Sequence, residues 1–357
     1  MRKRAWKSWF GMTAAVLLAA LVFGPARTAA AAPSDCPSMP FSLVEQMEVL
    51  PFGPVRLASR HIFDVVARPQ PLPTGPNHVD RADVVTSLPP RLEWEHFHFD
   101  DKTHSQHWPW LEGDSYGGVV AGFIQRRHRL FYGMMVCYRR INARTNAWMP
   151  YCCMSDYYFC KWDIRVDALA YGAFVAYDIL SEVDGNDPVT VAVGVAVCHM
   201  IMHTHIRQQC WWPCHGFCSP SMSDVTHHGI VSPFVHVYKN AGPVIVGAGA
   251  QFTGAIQDHG NRGSDRGNHW LTHQVTYGPY IGVPIGEHVM VNGSFERIDI
   301  FNDDRGGRRY PGSYYMAGTQ VGVAITRAVK VFVGFRRIFG IDRYTANVLF
   351  GGGEVSF

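Results

Sequence analysis

The sequence predicts an all-β fold, an antiparallel transmembrane β-barrel of about twelve strands with a short N-terminal extension. Three observations predict it. Apolar residues recur with a period of two through most of the chain after Leu92. The alternation separates an apolar face from a small or polar one. The links between segments sort into a short set and a long set at opposite ends, the asymmetry of a barrel that crosses a membrane.

The C-terminal stretch shows the alternation best. Thr319, Val321, Val323 and Ile325 alternate with Gly318, Gln320, Gly322 and Ala324, and Val329, Val331, Val333 and Phe335 alternate with Lys330, Phe332, Gly334 and Arg336. Leu349, Val355 and Phe357 hold one parity in the last segment and Glu354 and Ser356 the other. A period of two means strands, since successive side chains point to opposite faces. The same reading gives strands at 91–99, 115–125, 128–140, 165–180, 188–199, 228–238, 242–256, 270–284, 286–299, 313–325, 328–339 and 343–357. Pro233, Pro243, Pro279 and Pro284 fall in or beside them and should need turns or bulges, because a closed barrel has no edge to host a missing N–H.

The front of the chain is different. Arg2, Lys3, Arg4 and Lys7 precede an apolar run from Gly11 to Gly24, and small residues follow from Thr28 to Ala32. That run of about fourteen residues is too short to span a bilayer as a helix and reads as a signal peptide, residues 1–31. Residues 32–90 are rich in proline and poor in alternation and form the expected extension, periplasmic or lumenal; residues 91–357 form the barrel. Of the 32 Lys+Arg in the chain, five lie in 1–31, which holds no acid, so 27 remain against 29 Asp+Glu. The basic balance therefore belongs to the targeting segment and gives no support to a nucleic-acid partner. No later run of 18 or more apolar residues provides a membrane-spanning helix.

The links 126–127, 181–187, 239–241, Pro284-Ile285 and 326–327 are short. Their counterparts 100–114, 141–164, 200–227, 257–269 and 300–312 are long, and 340–342 is the exception. The soluble rival is a β-sandwich, which would bury its valine rows between two sheets. Against it stand the small residues of the second parity, Ala192, Gly194, Ala196, Gly318, Gly322 and Gly334, and aromatic residues near strand ends such as Tyr116, Tyr138, Tyr177 and Tyr314.

A terminal Phe closing such a strand resembles the C-terminal signature of bacterial outer-membrane barrels, which makes Val355 and Phe357 the expected assembly signal. Glu112-Gly-Asp-Ser-Tyr-Gly-Gly118, an alternating strand, a short basic turn and Leu130 to Tyr138 resemble the opening of the translocator β-domain of autotransporters. The resemblance covers about residues 91–357 and is at superfamily level. It implies residence in the bacterial outer membrane after signal-peptide cleavage, with outer-membrane lipid and the barrel-assembly machinery as partners. An autotransporter passenger is not visible in the roughly 60 residues before the barrel, which carry no repeats.

Parity directs Arg129, Arg139, Asp178, Glu296, Lys330, Arg336 and Glu354 into the lumen, where they either pair across the wall or line a water path for small solutes. Their mixed signs argue against strong charge selectivity. All nine cysteines follow the signal segment. Cys137, Cys152, Cys153 and Cys160 surround one long link, Cys198, Cys210, Cys214 and Cys218 another, and Cys36 is left over; in an oxidising compartment they read first as disulfides. The sharper alternative is a divalent metal held by His203, His205, Cys210, Cys214, His215 and Cys218, with His227 and His228 nearby. The leading expectation is otherwise no cofactor. Asp303 and Asp304, and the histidines His104, His107, His259 and His269, read as solvated loop residues. Asp258-His259 and Thr103-His104-Ser105 are the hints of a hydrolase acting on lipid or peptide. The expected function is passive, a small channel or structural surface barrel, more a non-enzyme than an enzyme, with the hydrolase and the autotransporter-like translocator as alternatives.

Overall fold

The alternating segments become strands, and several run further than the alternation alone indicates. A computed structural model describes residues 83–88, 91–100, 110–150, 157–182, 187–212, 216–218, 221–260, 273–286, 288–301, 313–326, 329–341 and 344–356. Its strands are β1 (83–88), β2 (92–100), β3 (110–127), β4 (130–150), β5 (157–180), β6 (190–212), β7 (216–218), β8 (221–241), β9 (244–260), β10 (273–285), β11 (289–301), β12 (313–324), β13 (329–341) and β14 (344–356). The signal segment, most of the extension and Phe357 lie outside the described residues.

These strands form a closed antiparallel barrel of twelve strands. Closure is made by β14, which pairs with β13 on one side and with β2 on the other, Tyr344 opposite Phe99 through Gly351 opposite Leu92. Strands β1 and β2 share one place in the wall. β1 pairs with the lower part of β3 and the last residues of β14, β2 with the upper parts of both. The sequence puts Pro89-Pro90, neither of which can donate to a ladder, between them. Residues 83–88, expected in the extension, thus belong to the wall. β7 is a three-residue piece beside the end of β6.

The valine rows point outward. Val193, Val197, Val235, Val237, Val321, Val323, Val331 and Val333 are all exposed, Val333 at 56% and Ile325 at 61%. A water-soluble sheet would not leave so continuous an apolar surface. The sandwich therefore fails on the face that matters most: its dry middle would have to contain these residues. The band is bordered by Trp94, Tyr116, Tyr138, Tyr171 and Tyr277 at one end, the place of an interfacial girdle.

The short links all lie at the other end, at 128–129, 181–189, 242–243, 286–288 and 325–328. The opposite end differs from expectation. Most of 141–164 and 200–227, read as loops, continues as paired strand. β4 runs to Pro150, β5 begins at Tyr157, and β6 runs to Trp212. Polarity misled the sequence reading there. Outside the lipid, the outward parity turns charged while the inward parity stays apolar, so Ile141, Trp162, Ile164, Val166 and Ile206 still pack inside. The barrel is cut obliquely, with β4, β5, β6 and β8 tall and β10 to β14 short.

Inside, large aromatic side chains lie over glycines directly opposite. Phe350 faces Gly334, Phe234 faces Gly194, Phe97 faces Gly113, and Tyr280 faces Gly247. A Cβ on Gly334 would come within 2.2 Å of the Phe350 ring. Pro233, Pro279 and Pro284 sit within β8 and β10 rather than at turns or bulges, and Pro243 falls in a turn. The Ser232 hydroxyl donates to the Phe252 carbonyl at 2.7 Å, beside the ladder position that Pro233 cannot fill.

Candidate functional site

The inner wall has two zones. Toward the tall rim it is apolar, a packed collar that includes Phe97, Ile141, Trp162, Met200, Ile206 and Ile300. An interior that is small and polar throughout, the plain reading of the parity, is therefore corrected for this half. Below the collar the wall is polar and divided by chemistry. Arg91 and strands β2, β4, β11 and β13 carry buried charges, while β8, β9 and β10 carry hydroxyls, amides and the imidazoles of His228 and His236.

The charged half is built on Arg139 of β4. Its guanidinium donates to the Ser115 hydroxyl at 2.9 Å, to Glu95 at 3.4 Å and to Glu93. Arg91 holds the other oxygen of Glu93, with Nε at 3.3 Å from it. Arg91 also lies over the rings of Phe350 and Phe332, 4.6 and 5.4 Å from their centroids. Arg336 approaches Phe350 from β13 at 4.3 Å. One aromatic ring thus receives two guanidinium groups, a placement its quadrupole favours. Arg336 also crosses Gly318, where a Cβ would meet its Cγ at 2.8 Å and the Ser294 hydroxyl oxygen at 3.5 Å. Glu296, buried, stands two residues further along β11. In the neutral half, Gln251 donates to Ser232 at 2.6 Å and to Thr253 at 3.0 Å, and Gln274 donates to Thr276 at 3.3 Å.

The expected lumenal residues are placed as follows. Arg139, Asp178, Glu296 and Arg336 are buried on the inner face, and Lys330 is half-buried on the inner parity of β13. Only Arg139 and Arg336 join the charged belt. Asp178 stands near the short-turn end, opposite Ala192. Arg129 lies in the 128–129 turn, donates to the Ile179 carbonyl at 3.1 Å and pairs with Asp187 at 3.6 Å, so its parity from β4 does not carry it into the lumen. The reading missed Arg91, Glu93, Glu95, Ser115 and Phe350. The signal was present: Glu93 and Glu95 alternate with Leu92 and Trp94.

Of the metal set, only His203 and His205 have described side chains. His203 and His205 are on the outward parity of β6, and His203 bonds to the Ser223 hydroxyl at 2.7 Å. Cys214 and His215 lie outside the described residues, and for Cys210 and Cys218 only the backbone is described, in opposite register. Among the described residues no three His, Cys, Asp or Glu side chains gather to hold an ion. Cys137 and Cys198, expected to staple loops, stand in the wall as free thiols. His104, Ser105, His107, His269, Asp303 and Asp304 lie outside the described residues, and for Asp258 and His259 only the backbone, in β9, is described, so the hydrolase hint has no side-chain geometry.

Above the aromatic border, on the outward face, Asp167 accepts from the Tyr138 hydroxyl at 2.7 Å, from Arg165 at 2.8 Å and from Arg140. Burial pushes its carboxyl upward, but these three donors together outweigh that and hold it below the usual carboxylate range.

Solved structures share this fold. The transport unit of the autotransporter AIDA-I from Escherichia coli has a TM-score of 0.52 at 11% identity, over 80% of this chain and 93% of that one. The translocator domain of autotransporter NalP from Neisseria meningitidis gives 0.49 at 8% identity, over 78% and 91%. The CymD monoaromatic hydrocarbon channel gives 0.45 at 8% identity, over 76% and 88%. At such identities the likeness concerns the fold alone, a closed antiparallel β-barrel. No family model matches the chain, and no curated protein does.

Proposed function

We propose that this chain is an integral protein of the bacterial outer membrane and acts as a narrow passive channel for small solutes. Residues 1–31 serve as a cleaved signal peptide, and Val355 and Phe357 are read by the barrel-assembly machinery. The observation that carries the channel reading is the polar inner belt in a barrel of this strand number. Twelve strands about 4.8 Å apart and tilted by about 40° enclose a backbone cylinder of roughly 12 Å radius. Eight strands leave room only for side chains, and sixteen leave a water-filled pore, so at twelve the side chains decide. Here the belt below the collar carries both signs of charge and neutral amides, a lining that wets without selecting strongly. The collar is an apolar constriction of the kind that gates by dewetting.

Planar-bilayer recording tests this. The heat-shifted, folded protein should conduct in small steps. Trp162→Ala should raise the conductance by widening and wetting the collar, and Arg336→Ala should alter ion preference. Folded protein that never conducts would overturn the channel reading and leave the structural surface barrel.

A translocator is the second reading, favoured by the resemblance to an autotransporter transport unit. It requires a polypeptide segment protected from protease by the barrel during export. The cysteines at the tall rim belong to this proposal as loop staples: backbone register puts Cys160 opposite Cys210, and Cys210 opposite Cys218.

A further inference from the structure

The tall side of the barrel presents a surface that the channel does not use. β4, β5 and β6 have 21, 24 and 23 residues, against 13 in β13 and β14. A lipid-facing band about 25 Å tall takes about ten residues of a tilted strand, so roughly half of each tall strand stands beyond it. The change occurs at Tyr138 and Tyr171. Below them the outward residues are Met134, Val136, Val175, Val193 and Val197; above them the outward face is charged.

The register fixes that charge in rows. Arg140 lies opposite Asp167, and Asp167 opposite His203. Two residues further out, Asn142 lies opposite Arg165, and Arg165 opposite His205; two further again, Arg144 lies opposite Asp163, and Asp163 opposite Arg207. Lys161 follows on β5. Five permanent cations thus share this face with two carboxylates. Asp167 bonds to Arg140 and Arg165, and Asp163 sits 3.5 Å from Arg144. The carboxylates orient the guanidinium groups without covering them, since the side chains of Arg144 and Arg165 remain 73% and 49% exposed. The opposite face of the same strands is the buried collar, with Ile141, Ala143, Trp162, Ile164 and Ile206. The rows are therefore held by a packed, paired sheet rather than by a loop. Among the described residues, the rest of the rim differs in charge. β2 and β3 show His96, Glu112 and Asp114 outward, and on β11 Arg297 is paired with Asp299 at 2.9 Å.

We propose that the outward face of β4–β6 docks an outer-leaflet lipid whose phosphorylated headgroup carries net negative charge, its acyl chains on the valine columns and its phosphates on the Arg144, Arg165 and Arg207 rows. The proposal rests on the outer-membrane reading above, not on the channel. Charge complementarity selects the occupant. Cations fixed just above an apolar surface attract anionic headgroups, and a guanidinium fork matches phosphate oxygens. The apolar column directly beneath selects a lipid over free phosphate.

The test uses the full chain folded in neutral detergent micelles doped with diphosphorylated lipid A, with retained lipid counted by native mass spectrometry. The wild type should retain lipid A in preference to phosphatidylethanolamine, and inorganic phosphate should not displace it. Arg144→Gln, Arg165→Gln and Arg207→Gln together should weaken retention about a hundredfold, the scale of removing three cations beside an anionic headgroup. Arg297→Gln with Arg337→Gln, two exposed cations on the outward faces of β11 and β13, should change nothing. Equal retention by the triple variant, equal retention of phosphatidylethanolamine, or full displacement by phosphate would overturn the proposal. Gel migration with and without boiling is read on every variant. A chain that shows no folded band refutes the membrane-barrel premise, whereas a folded barrel that fails to retain lipid A refutes this site alone.

Discussion

Arg139 is the residue on which the lumenal belt depends. Its guanidinium is buried and reaches Glu93, Glu95 and Ser115 at once. Removing one member of a buried ion cluster costs more than the cluster contributes, because the remaining charges lose compensation in a poor solvent. Arg139→Met should therefore lower barrel stability by about 3–5 kcal/mol. The temperature at which the compact gel band converts to the unfolded one measures this. Adding Glu93→Gln and Glu95→Gln should recover much of the loss, since neutral amides need no counter-charge. If Arg139→Met alone leaves the conversion temperature unchanged, the cluster is not what holds this wall. How far such a site can be read from sequence is shown by Arg139 and Arg129. Parity sends both inward, and Arg139 goes there. Arg129 does not, because a two-residue turn at 128–129 breaks the alternation that parity relies on. Arg91, Glu93 and Glu95 obey the same period in the segment 91–99, which reads as a strand; their approach to Arg139 depends on register across β2, β3 and β4, which no single segment shows.

At the scale of the element, the strands were legible wherever lipid faces one side, because hydrocarbon demands an unbroken apolar parity there. They were less legible where β4 to β6 leave the membrane. Arg140, Asn142 and Arg144 on one face look like a loop until Ile141 and Ala143 on the other are seen to pack. Aromatic–glycine pairing was not legible at all, since it depends on register between strands. Gly334 and Phe350 show its consequence. The ring occupies the space a methyl would need and in turn carries Arg91 and Arg336. Gly334→Ala should displace the ring and both guanidinium groups with it. The cost should be about 1–3 kcal/mol, the usual scale of overpacking, again seen in the conversion temperature. Phe350→Leu in the same background should recover part of it by freeing the space. Gly242→Ala, in a turn with nothing within 4 Å of its Cβ position, tests the converse. Its positive φ of 67° makes any loss there a matter of backbone strain rather than packing.

For the whole molecule the deciding feature is closure. β14 is antiparallel to both β13 and β2, so β13 and β2 run parallel to each other. A chain lacking residues 344–357 cannot heal the gap by pairing these two in the antiparallel pattern the rest of the wall uses. It would leave two rows of N–H and C=O groups in hydrocarbon, each unsatisfied group costing several kcal/mol. Such a chain, refolded in detergent without any assembly machinery, should migrate identically boiled and unboiled. Deletion of 262–271, which lies in a link between β9 and β10, should leave the migration shift intact. Phe357→Ala separates the seam from the assembly signal. If the terminal residue is read by the assembly machinery rather than needed for closure, this variant should refold normally in detergent and fail only when assembled in cells. A truncated chain that still shows the compact band would mean that the seam between β14 and β2 does not close the cylinder. The strand count and the enclosed lumen would then have to be revised together.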